Sequence, residues 1–167
     1  MNSLRRKIAL TPFLLLAACG FRLRGTADVP FESLYIPEAR TGIGLDLKRN
    51  VEAGTRTRVV DDPKGAQAIL QVTHESRGKQ ILTLTGTGAV REYQLRYQVS
   101  FRVHDGKGGE YVPQSTILLT RDMTYADALI LAKEAEEQLL FRDMQTEAVH
   151  QIVRRLGRAQ PPKPPVQ

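Results

Sequence analysis

Tyr93-Gln94-Leu95-Arg96-Tyr97-Gln98-Val99-Ser100-Phe101-Arg102-Val103-His104 sets the architecture of this chain. Apolar and polar residues alternate through six consecutive pairs, and successive side chains of a strand point to opposite faces. The stretch is therefore a long strand with one covered face and one wet face. Asp105-Gly106-Lys107-Gly108-Gly109 follows it and suits a hairpin turn, because these residues tolerate positive φ. Ser115 to Thr124 is the returning strand. Upstream, Ile69 to Leu84 reads as a strand broken near Gly78, and Gly86-Thr87-Gly88 links it to the long one. Such short links imply antiparallel pairing of consecutive strands.

Beyond this sheet the period changes. Leu129, Ala132, Leu139, Leu140, Met144, Ala148, Val149, Ile152 and Leu156 recur near one stripe at helical spacing. Asp127 is placed to cap the start of that helix, and Gly157 marks its end. Glu134, Glu136 and Glu137 lie early and Arg154 and Arg155 late, which complements the helix dipole. Roughly 30 residues at 1.5 Å each make a rod of about 45 Å, long enough to lie across the sheet. Ahead of the sheet, Ser33-Leu34-Tyr35-Ile36 is a short strand closed by Pro37. Leu45, Leu47 and Val51 mark a short helix between Gly44 and Gly54, and Arg58-Val59-Val60 is a candidate brief strand. Asp61-Asp62-Pro63-Lys64-Gly65 is a turn by composition. The expected fold is α+β in the order β-α-β-β-β-α. Two helices should pack on one face of a small, largely antiparallel (mixed) four-stranded sheet.

The start of the chain has a different character. Arg5, Arg6 and Lys7 precede an apolar run from Ile8 to Ala18. That run is too short to cross about 30 Å of hydrocarbon, which takes roughly 20 helical residues, but it fits the apolar part of a secretory signal. Leu16-Ala17-Ala18-Cys19 resembles the lipobox of bacterial lipoproteins, so residues 1–18 are expected to be removed and Cys19 to accept lipid. Cys19 is the only cysteine, and no intramolecular disulfide can form. The expected organisation is then a lipidated extended arm over 19–32, one domain over 33–157 and a loose Pro-rich tail over 158–167. Without Arg5, Arg6 and Lys7, the 24 basic residues fall to 21 against 18 acidic ones, a net charge of +3. Nucleic acid is therefore not an expected partner.

Catalysis has little to work with. His74, His104 and His150 are scattered without metal-ligand spacing. Asp61 and Asp62 suit a turn more than an acid/base pair, and no Gly-x-Ser-x-Gly elbow occurs. Gly86-Thr87-Gly88 lacks the Gly-Lys-Ser/Thr of a phosphate loop and reads as a tight strand connection. Neither an enzyme, a cofactor nor a metal site is expected.

Cys19-Gly20-Phe21-Arg22-Leu23-Arg24-Gly25 resembles the mature start of the LptE family of LPS-assembly lipoproteins. Arg91-Glu92-Tyr93-Gln94-Leu95 and Leu131-Ala132-Lys133-Glu134 are similar to further segments of that family. The resemblance implies a lipoprotein lodged as a plug inside LptD, the β-barrel of the LPS translocon. There it would help the barrel assemble, bind lipopolysaccharide and assist its delivery to the outer leaflet. Glycine rather than aspartate after Cys19 implies sorting to the outer membrane, on its periplasmic side. Lipid A carries phosphates, which call for cations. Lys133 matches a lysine of the family segment, and Arg91, Arg96, Arg102 and Arg121 lie on or near the strands. Arg96 and Arg102 should share one face, about 20 Å apart. Gly86, Thr87 and Gly88 would contact the barrel partner. The alternative is a free-standing lipoprotein that binds an envelope polymer such as peptidoglycan.

Overall fold

The computed structural model describes residues 29–37 and 39–162, with every side chain among them but that of Asp127. The signal segment, Cys19, the arm up to residue 28 and residues 163–167 of the tail lie outside the described residues. The N-cap of the last helix is Leu129, without a side-chain cap bond, and not the expected Asp127, which instead opens a 3-10 turn ahead of the helix. The elements are β1 (Ser33–Tyr35), α1 (Gly42–Gly54), β2 (Arg58–Val60), β3 (Ala68–Leu84), β4 (Val90–His104), β5 (Glu110–Thr124) and α2 (Ile130–Leu156). Single 3-10 turns, Pro63–Gly65 and Asp127–Leu129, precede β3 and α2.

The sheet order is β2-β1-β3-β4-β5. β1 runs parallel to β2 and β3, whereas β3, β4 and β5 are antiparallel. The α+β class and the mixed sheet agree with the sequence pattern, but the sheet has five strands rather than four. The extra one is Arg58–Val60, held in register by Ser33, Leu34 and Tyr35 of β1. Three residues are too few for periodicity to assign; the partner strand makes this segment a strand.

Gly78 does not break β3. It stays in the ladder opposite Arg96, and the register shifts fall between Val72 and His74 and from Ile81 to Leu84. Glycine weakens an isolated strand, yet a well-paired neighbour on β4 holds this one. β5 begins at Glu110, earlier than the expected Ser115, and takes up Pro113 on the outer edge of the sheet, where no ladder partner needs its missing N–H.

Leu95, Tyr97, Val99, Phe101 and Val103 are all buried, and Tyr93 at the outer end is half-buried. Against them pack Leu47 and Val51 of α1 and Phe141, Met144, Ala148, Val149 and Ile152 of α2, in one continuous core. Both helices thus cover one face of the sheet, and the opposite face is polar. Only half of the α2 stripe is core. The buried positions begin at Phe141, while Leu129, Ala132 and Leu139 are exposed. The burial starts where α1 lies alongside, with Gln145 Nε2 donating to Asp46 Oδ2 at 2.7 Å. Gly157 caps α2 in the right-handed region, φ −67°, so the left-handed glycine stop is not used.

The molecule has two distinct ends. One gathers the starts of β1, β2 and β3 with the turn after His104, since Ile69 pairs with His104. The other, the tip, gathers the β3–β4 link, the end of β5 and the approach to α2, since Leu84 pairs with Val90 and Glu92 with Thr124.

Candidate functional site

The five candidate cations fall into three places. Arg96 and Arg102 share the open face, as their spacing predicts. Arg96 is exposed, beside Gly78 on one neighbour and Thr120 on the other. Arg102 is half-buried, and its Nε and Nη2 donate to Gln71 Oε1 at 2.9 and 2.8 Å. Arg121 is on the other face: it pairs across the ladder with Leu95, and its Nη2 donates to Glu147 Oε2 at 2.6 Å. Arg91 and Lys133 are at the tip.

Lys133 reaches back from α2 to the end of β5. Its Nζ donates to Glu136 Oε2 at 2.8 Å and to Thr124 Oγ1 at 3.2 Å, and its side chain is only 14% exposed. Thr124 in turn faces Glu92, whose Oε2 accepts from Thr83 Oγ1 at 2.8 Å. Thr83, Glu92, Thr124 and Lys133 therefore make a polar line across the tip. Arg91 is exposed, and its carbonyl accepts from Tyr125 N at 2.8 Å. In the adjoining Gly86-Thr87-Gly88 link, Gly88 takes φ +84°, a conformation glycine adopts without strain. The amides of Gly88 and Ala89 are satisfied by Thr85 within the turn, so this is a tight connection.

Around that line the tip is apolar. Ile81, Leu82 and Leu84 of β3 and Leu129, Ile130 and Leu131 before and at the start of α2 are large exposed side chains, Leu131 at 82%. Single exposed leucines are ordinary, whereas a cluster rimmed by polar groups marks an interaction surface. The sequence carried this signal in Leu129-Ile130-Leu131. Three successive apolar residues cannot all lie on the one buried stripe of a helix.

Arg77 and Lys79 also escaped the sequence reading. They occupy covered-face positions of β3, opposite Tyr97 and Leu95. Beyond Ile69, however, β3 has no neighbour on its outer side, so long cationic stems can lie over aromatic rings there and still reach water. Lys79 Nζ sits 4.2 Å from the Tyr93 ring centroid and 2.5 Å from Glu137 Oε2. Arg77 packs 5.8 Å from the Tyr97 ring and 5.7 Å from the Phe141 ring, and donates to Gln145 Oε1 at 2.7 Å. Burial, and then the hydrogen bond its hydroxyl donates to Glu75, push the Tyr97 phenol far above its ordinary value. Among the described residues no helix is long and apolar enough to cross a membrane, and no cluster of metal-ligating side chains occurs.

Fold and tip together define a two-layer α+β domain with an apolar end flanked by cations. A sequence profile of the LptE family, described as lipopolysaccharide-assembly, matches residues 26–156. The chain belongs to the LptE family. It is 28% identical over 148 residues to the LPS-assembly lipoprotein LptE of Photorhabdus laumondii, covering 86% of this chain and 79% of that one. To the protein of the same name from Yersinia enterocolitica it is 30% identical over 152 residues, covering 86% and 70%. Among solved structures, lipoprotein B from Nitrosomonas europaea superposes with a TM-score of 0.69 at 43% identity, covering 81% of this chain and 88% of the other.

Proposed function

We propose that this chain is an outer-membrane lipoprotein, tethered through lipid on Cys19, that lodges as a plug in an LptD-type barrel, helps it assemble and binds lipopolysaccharide on its way to the outer leaflet. The observation that carries the ligand part is the tip. Exposed Ile81, Leu82, Leu84, Leu129, Ile130 and Leu131 stand at the same end as Arg91 and Lys133. Apolar side chains beside cations suit an amphiphile with acyl chains and a phosphorylated head. The partner part rests on family membership and on the polar open face, which matches the polar interior wall of a transmembrane barrel.

Two experiments test the reading. Tagged protein taken from detergent-solubilised outer membranes should bring a large β-barrel in near-equal amount; recovery of monomer alone would favour the free-standing polymer binder. For the tether, Cys19→Ser should block lipid attachment, and an unmodified Cys19 in the wild-type protein by mass spectrometry would end that part of the proposal.

A further inference from the structure

At the end opposite the tip, the first described residues meet the start of β2. Here Thr55-Arg56-Thr57-Arg58 alternates buried threonine with exposed arginine. Thr55 Oγ1 donates to Val51 O at 2.8 Å and accepts from Thr57 N at 3.1 Å. Thr57 Oγ1 donates to Phe31 O at 3.0 Å, and Arg58 N donates to Glu32 O at 2.9 Å. The two threonines pin the backbone, and the period-two alternation sends both arginines to the same outward side. A cleft of about 660 Å³ opens beside them, lined among others by Val29, Pro30, Glu32, Arg56, Arg58 and Gln67. Glu32 is its one acid. Neither guanidinium has an ion pair among the described residues, a state they share with most exposed cations of the chain, so both are available to an anion.

The position of this cleft along the chain gives it a neighbour. Cys19 lies ten residues before Val29, and ten extended residues reach at most about 35 Å. Arg22 and Arg24 fall inside that interval. We propose that the cleft receives the phosphate headgroup of an anionic phospholipid in the leaflet that holds the Cys19 anchor. The inference rests on the tether reading in one respect: the anchor is what brings the cleft to the leaflet. The planar guanidinium fork fits phosphate with two hydrogen bonds, which an exposed lysine would not reproduce. Cations held close to an anionic leaflet gain further from its surface potential, so the contact should weaken as salt rises. This end of the protein then docks on the membrane.

The test uses the chain from residue 19 with Cys19→Ser, since among the described residues the buried core falls within 31–156. Sedimentation is measured with vesicles of phosphatidylethanolamine alone and with about 30% phosphatidylglycerol, chosen to set an anionic surface potential. The anionic vesicles should bind the protein more tightly, and Arg56→Glu with Arg58→Glu should weaken that binding by more than the roughly fivefold per arginine that follows from losing one positive charge. Arg142→Glu, on the exposed side of α2 and outside both proposed sites, should leave it unchanged. Arg56→Gln with Arg58→Gln serves if the reversed pair fails to fold, with circular dichroism as the check. Equal binding to both vesicle types, or binding untouched by the arginine changes, would overturn the proposal. Displacement by inorganic phosphate at the same phosphate concentration would also overturn it, by assigning the cleft to a free anion. An unmodified Cys19 in the native protein would sink the tether alone, because this binding is read without it.

Discussion

Arg121 stands directly across the ladder from Leu95, so it shares the helix-covered face with the core and not the open face with Arg96. Its guanidinium clips β5 to Glu147 of α2. Both side chains are partly exposed, and such pairs contribute no more than about 1 kcal/mol. Arg121→Ala should therefore lower stability by at most that amount. Arg121→Glu, which sets two carboxylates against each other, should lower it further, whereas Arg96→Glu should leave the melting temperature unchanged. Denaturant midpoints of the three variants check this ordering, and an Arg96→Glu loss as large as that of Arg121→Glu would refute it.

Phe101 is fully buried and Arg102, one residue on, faces the open side. Phe101→Ala should cost about 3–5 kcal/mol, the usual range for an emptied aromatic site in a core. Arg102→Ala gives up only its contacts with Gln71 and should cost about 0.5 kcal/mol or less. Equal destabilisation by the two changes would show that the faces are assigned the wrong way round.

Tyr97 makes stability depend on alkaline pH. Burial first, and then its hydrogen bond to Glu75, raise the phenol above its ordinary 10.0. The folded chain holds that proton more tightly than the unfolded one. The resulting stabilisation is complete below about pH 10 and is lost as pH climbs beyond it. Tyr97→Phe should flatten this alkaline decline while costing about 1 kcal/mol at neutral pH, the typical contribution of one hydrogen bond. Urea unfolding at neutral pH and again at high pH measures both effects, and an unchanged alkaline slope in Tyr97→Phe would place the titration elsewhere.

At the tip, Lys133 is already engaged by Glu136 and Thr124. If Lys133 contacts lipid A phosphate, Glu136 competes for the same ammonium. Lys133→Glu and Arg91→Glu should each weaken lipopolysaccharide binding by about tenfold, the loss expected for one charge-assisted contact, and Glu136→Gln should tighten it. Leu131→Ser should weaken binding without lowering the melting temperature, because Leu131 touches no core residue closely enough to be covered. Calorimetric titration with lipopolysaccharide reads all four, and indifference to both charge reversals would retire the cationic site.

The β4 pattern made the faces of the sheet legible, because both neighbours of β4 are strands and one face meets helices. Where only one side of an element is covered, the pattern misled. The α2 stripe predicted burial from Leu129 onward, yet α1 lies alongside only from about the level of Gln145, and the earlier apolar residues stay exposed. On β3 the outer half has no second neighbour, so Arg77 and Lys79 occupy covered-face positions that alternation would give to apolar residues. For Arg121 the sequence shows residue type and strand membership, but the cross-strand register that sets its face is a property of the folded sheet.

β4 is 15 residues long, which at about 3.4 Å per residue makes a blade of roughly 50 Å. A bilayer with its headgroups measures about 40–45 Å. The end where the chain joins its arm and the end bearing Leu131 are therefore separated by a full membrane thickness, with a hydrogen-bonded sheet as the rigid spacer between them. Under the proposed tether and ligand-binding tip, strand length is then a functional dimension. If the proposed tether holds, removing two successive residues from each of β3, β4 and β5, with about one turn of α2 taken out to keep Lys133 beside Thr124, would lower the tip towards the leaflet that holds Cys19.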